Sequence, residues 1–141
     1  MNTRFAAIML ALLISGYLAG QTSPQIKKTP VQKTSPASGL EMYTQYCAPC
    51  HGKDGKGKGP AAVALKTAPT DLTALTARNK GAFPDFRIAQ VIEGSDNLAA
   101  HGSQEMPIWG QIFHQMDGSS PDTSKLRIAN LISHIKTLQA K

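Results

Sequence analysis

The chain has 141 residues and a formal net charge of +6, a length that leaves room for one domain. Arg4, Lys27, Lys28 and Lys33 carry most of that positive excess, ahead of residue 38. From there on the chain is only mildly basic, so its net charge gives no support to nucleic-acid binding.

Residues 1–20 open with Arg4 and continue as an apolar run from Phe5 to Leu13, then through Ile14, Tyr17 and Leu18. A charged start before an apolar stretch shorter than the ~20 residues of a spanning helix is the layout of a secretory signal. An uncleaved anchor is the alternative, because Tyr17 and Leu18 stand where cleavage favours small residues. Gln21 follows Leu18-Ala19-Gly20, so the cysteine of a lipidated signal is missing there. Either way the chain is predicted to be exported. Residues 21–37 are rich in Ser, Thr, Pro, Gln and Lys and read as a flexible linker. Residues 38–141 are the predicted domain, small, with few aromatics and in need of something to fill its centre.

The first predicted helix begins at Ser38, where Ser38-Gly39-Leu40-Glu41 fits a capping box. Helical spacing puts Leu40, Tyr43, Cys47 and Cys50 on one inward face. A short helix is predicted near Thr70-Asp71, carrying Leu72 and Leu75. The next runs from Pro84 to Glu93 with Gly94 as its stop, and turns Ile88, Val91 and Ile92 inward. The last starts at Ser120-Pro121 and buries Ile128, Leu131, Ile132, Ile135 and Leu138, with Lys125, Arg127 and Lys136 outside the stripe. No run reads as a strand, and residues 52–70 and 94–107 read as long Gly- and Pro-containing loops. The fold class is therefore all-α, three main helices with long loops. Such loops need an organiser, and a large flat apolar ligand is one.

Cys47-Ala48-Pro49-Cys50-His51 names that ligand. Two thiols three positions apart at a helix end can each bond one vinyl group of a haem, and the following His then lies beneath the ring to coordinate its iron. Three other readings compete. A thioredoxin-like thiol pair needs a strand immediately upstream. A structural zinc site needs four ligands and would have to recruit scattered histidines. A plain disulfide leaves His51 and the loop-rich core without explanation.

With these residues the chain resembles the class I c-type cytochromes, over about residues 38–139. Gly39 and Tyr43 match the small and aromatic residues of that family's first helix, and Cys47, Cys50 and His51 its attachment motif. His51-Gly52-Lys53-Asp54-Gly55 through Gly59-Pro60 is similar to the loop below the haem, which implies that the Pro60 carbonyl holds the second nitrogen of His51. Leu131-Ile132-Ser133-His134-Ile135 is similar to the last helix, with His134 where the family has an aromatic. The resemblance implies one covalent haem c, its iron held by His51 and by the methionine of the Met106-Pro107 loop. It also implies that Trp109 packs against the haem or bonds a propionate.

Met42 and Met116 are assigned to packing. His101 and His114 are weaker candidates for the iron, and His134 is read as a packing residue. Arg87 is a candidate partner for a propionate. Lys53, Lys56 and Lys58 form either a docking patch or a solvated loop. The predicted function is a monomeric electron carrier, not an enzyme. It would exchange single electrons with redox partner proteins in the periplasm or on the outer face of the cytoplasmic membrane, with residues 5–20 as the tether in the second case. A haem enzyme or gas sensor with an open distal face, and a thiol oxidoreductase using Cys47 and Cys50, are the alternatives.

Overall fold

The computed structural model describes residues 31–95, 106–116, 118 and 120–140. One compact unit runs from Gln32 to Lys141. The predicted signal or anchor, the linker up to residue 30, and His101 lie outside the described residues. Among the described residues there is no strand, and no helix is long and apolar enough to cross a membrane.

The elements in chain order are α1 (Gly39–Met42), a π turn (Tyr43–Cys47), α2 (Ala48–His51), 3₁₀ turns at Ala62–Ala64 and Leu72–Ala74, α3 (Leu75–Arg78), α4 (Asp85–Glu93), α5 (Trp109–Met116) and α6 (Pro121–Thr137). The all-α reading holds. Ser38 caps α1 by accepting from the Glu41 N–H at 3.2 Å, while the Glu41 carboxylate reaches back to the Ser35 N–H. Asp71 caps the Leu72–Ala74 turn, Gly94 ends α4 in the left-handed region, and Ser120 caps α6. Among the described residues, the one helix not anticipated is α5. Its signal was present in Trp109, Ile112, Phe113 and Met116, spaced as a helix face.

α1 packs against α6, and Gly39 is the reason the two come close. A Cβ on Gly39 would overlap the Asn130 carbonyl and stand 3.1 Å from the His134 Cβ. With Gly39, Met42, Tyr43 and Tyr46 turned inward, Leu40 is rotated by about 100° from Gly39 and is 62% exposed, so its predicted inward place is corrected. His134 fills the aromatic position against Tyr43, with ring centroids 4.9 Å apart. Gly39→Ala should therefore cost about 1–3 kcal/mol in denaturant unfolding, as overpacking of a tight contact does.

His134 also gives a pH signature. Burial holds its imidazole below the ordinary range. The unfolded chain takes up this proton more readily, so the stability held above about pH 6.5 is lost as pH falls toward the folded value. Unfolding midpoints at neutral and mildly acidic pH should differ less in His134→Phe than in the native protein.

Arg127 is a second correction. Ser124, Arg127, Ile128, Leu131 and Ile135 are all buried on α6, and Arg127 is 0% exposed although it was predicted outside the stripe. Its position fits the buried face; its charge misled. The guanidinium donates to Thr34 Oγ1 at 3.1 Å and to the Thr34 carbonyl at 2.9 Å, beside Met42 Sδ and over the Phe113 ring. The Tyr46 hydroxyl donates to the Gln32 carbonyl at 2.6 Å, and Asn130 Nδ2 to the Pro36 carbonyl at 2.9 Å. The last residues of the predicted linker, 32–37, thus lie on the domain.

Candidate haem site

The Cys47–His51 segment is held by the loop that follows it. Gly57 N–H donates to the His51 carbonyl at 2.7 Å, Gly59 N–H to Cys50 at 3.0 Å, and Ala61 N–H to Pro49 at 2.8 Å. Carbonyls left without partners at the end of α2 are satisfied in this way. The close wrap is why glycine is required at position 59: a Cβ there would overlap the Pro49 carbonyl. The buried Tyr43 hydroxyl donates to the Gly52 carbonyl at 2.8 Å. Its pKa is pushed up to about 12, by burial first and then by Cys47 and Asp54.

His51 Nδ1–H donates to the Thr70 carbonyl at 3.0 Å. Pro60, expected in that role, is exposed, so this expectation is corrected. The loop folds back over the helix end, and the chain returning toward Asp71 supplies the acceptor instead. This bond fixes the tautomer, leaving Nε2 as a lone-pair donor. Burial pulls the imidazole below its usual pKa, against the opposing pull of the Thr70 bond. A neutral ring is the form that binds a metal.

Cys47, His51 and Thr70 border a cavity of about 270 Å³. Leu72 and Leu75 form one wall, Ile88, Val91 and Ile92 of α4 another, and Leu131 and Ile135 of α6 a third. Met106 and Trp109 complete it, Met106 being 37% exposed. Trp109 is held by stacking on Tyr46 at 5.0 Å and on Phe113 at 5.6 Å. Arg78, Asn79 and Arg87 are its polar members. Cys50 is half-buried on the same short helix but does not border the cavity.

The other candidates lie elsewhere. Met42 is fully buried beside Arg127, and Met116 Sδ lies 3.5 Å from the Tyr46 hydroxyl, so both are packing residues. His114 is exposed on α5, and Lys53, Lys56 and Lys58 are exposed; none of the four borders the cavity. Sequence reasoning missed Thr70 and Arg78. Thr70 left one signal, its place just before the Asp71 cap.

This lining fits a flat apolar group with acidic substituents: aliphatic walls, a thiol, one imidazole nitrogen, a thioether, and two guanidinium groups for carboxylates. The competing readings fit less well. A helix, not a strand, precedes the cysteine pair. The Cys47 thiol is pushed up to about 12 by burial and then by Cys50, the opposite of an activated nucleophile. Among the described residues no three His, Cys, Asp or Glu side chains are grouped to cage a metal.

Residues 34–120, more than half of the chain, match the family described as cytochrome C oxidase, cbb3-type, subunit III. No curated protein and no solved structure matches the chain. The matched segment holds the cysteine pair, His51, Met106 and α5, and it ends just before α6, which the structure packs against α1. The chain therefore belongs to the class I c-type cytochromes, whose domain carries covalently attached haem c with its iron.

Proposed function

We propose that the protein is a monohaem electron carrier acting outside the cytoplasm. Cys47 and Cys50 would hold the haem through thioether bonds, and His51 Nε2 and Met106 Sδ would be the donors to its iron. The observation that carries this reading is that Cys47, His51 and Met106 border one apolar cavity, with His51 held in a single tautomer by Thr70. The haem supplies reversible one-electron exchange between ferric and ferrous iron.

The protein's own groups orient and insulate. Thr70 sets the plane of the His51 ring. Leu72, Leu75, Ile88, Val91, Ile92, Leu131 and Ile135 exclude water. Arg78 and Arg87 pair with the propionates. A soft thioether from Met106 favours the ferrous state and raises the potential relative to a harder donor. No general base or nucleophile is needed, which agrees with a carrier. The matched family is described as a subunit of a cbb3-type cytochrome c oxidase. A terminal oxidase of that kind is therefore the first redox partner to test.

The test is the purified exported protein. One haem per chain should persist on a denaturing gel, and the reduced spectrum should be six-coordinate, low-spin and unchanged by carbon monoxide. A reduced spectrum that shifts with carbon monoxide replaces the carrier with an open-faced sensor or enzyme.

A further inference from the structure

Beyond α6 the chain turns back onto the cavity wall. Gln139 Oε1 accepts from the Thr76 N–H at 2.9 Å and from the Thr76 hydroxyl at 3.1 Å. Its Nε2 donates to the Leu72 carbonyl at 2.7 Å and to the Ile135 carbonyl at 3.0 Å. A glutamine amide offers two donors and two acceptor sites, and all four are used here. The backbone repeats the attachment, with Ala140 N–H donating to the Thr73 carbonyl at 2.9 Å.

These bonds converge on Leu72–Thr76, the stretch that follows the Thr70 carbonyl and leads into α3. Leu72 and Leu75 line the cavity there, and Arg78 ends the helix at its polar edge. The other bonds on this stretch are to near neighbours or to the preceding loop, not to α6: Asp71 Oδ1 accepts from the Thr73 N–H and hydroxyl, the Leu75 and Thr76 carbonyls accept from Asn79 and Gly81, and the Leu72 N–H donates to Gly55. On its other side Gln139 grips Ile135, itself a lining residue of α6. One amide thus ties two walls of the cavity together. It contributes no apolar lining of its own.

We infer that Gln139 is a positioning residue for the haem, acting through the Leu72–Thr76 wall on the Thr70 carbonyl that orients His51. The inference rests on His51 being an axial ligand. Without the amide, the wall keeps only the Ala140 backbone bond as its tie to the end of α6, and the Thr70 acceptor is held less firmly at its distance from His51 Nδ1. A ligand whose outer hydrogen bond is loosened exposes that proton to solvent more often.

The experiment uses the holoprotein. In proton NMR the His51 Nδ1–H, assigned among the resonances shifted by the ferric iron, is followed for exchange with solvent. Gln139→Ala should speed that exchange about tenfold or more. Gln139→Glu keeps the acceptor half but sets a carboxylate against the Leu72 and Ile135 carbonyls, and it should do the same. Gln139→Met, which preserves length, should do so too and serves if the alanine variant loads haem poorly. Ile128→Val is the control, a buried α6 position away from the cavity. It should lower the thermal midpoint with exchange unchanged. If all Gln139 variants lower the midpoint while His51 exchange stays as in the native protein, Gln139 is structural only and the inference is overturned. If the native protein itself shows no iron-shifted imidazole from His51, the axial assignment fails first and the inference falls with it.

Discussion

A double variant, Cys47→Ala with Cys50→Ala, should carry no covalent haem and should melt without a cooperative transition. The centre of the domain is a cavity of about 270 Å³ with aliphatic walls. Without haem these aliphatic walls have no packing partner, and a domain held together by only ~5–15 kcal/mol tolerates little such loss. The long stretch between α2 and α4 contains only short turns and the four-residue α3, and Thr70, Leu72, Leu75 and Arg78 of that stretch line the cavity. A haem stain, far-ultraviolet circular dichroism and a thermal melt check this. Native helix content with a cooperative melt and no haem would contradict it.

How much of this was readable beforehand follows from the range of the interactions. The caps at Ser38, Asp71 and Ser120, the left-handed Gly94 and the buried Ile128, Leu131 and Ile135 of α6 are local, and each stands where pattern and chemistry put it. The Cys47–His51 spacing is equally local. Long-range contacts decided the rest. Thr70 rather than Pro60 reaches His51, because the path of the loop across the end of α2 is set by backbone bonds to Pro49, Cys50 and His51. Arg127 is buried because Thr34 covers it from a stretch whose composition reads as linker. Leu40 is exposed because the tight contact at Gly39 sets the rotation of α1. The helix at α5 carried an apolar periodicity, but no helix was assigned between the loop ending at residue 107 and the last helix at Ser120.

The second large effect concerns Met106. Met106→Ala should remove the sixth ligand, lower the reduction potential and open the iron to carbon monoxide, since water or hydroxide stabilises ferric iron better than a thioether does. Met116→Ala should do none of these. Met116 is only half-buried against Tyr46, so its loss should fall at or below the low end of the ~2–5 kcal/mol typical of buried methionine truncations. Potentiometric titration and a carbon monoxide difference spectrum separate the two variants.

The most direct measurement is the near-infrared absorption of the ferric protein, where sulfur-to-iron charge transfer gives a band only when a thioether is bound. The band should be present in the native protein and in Met116→Ala, and absent from Met106→Ala. A band that survives in Met106→Ala and vanishes in Met116→Ala would move the ligand to another methionine. A native protein with no band and a ferrous form that binds carbon monoxide would contradict the electron-carrier account itself.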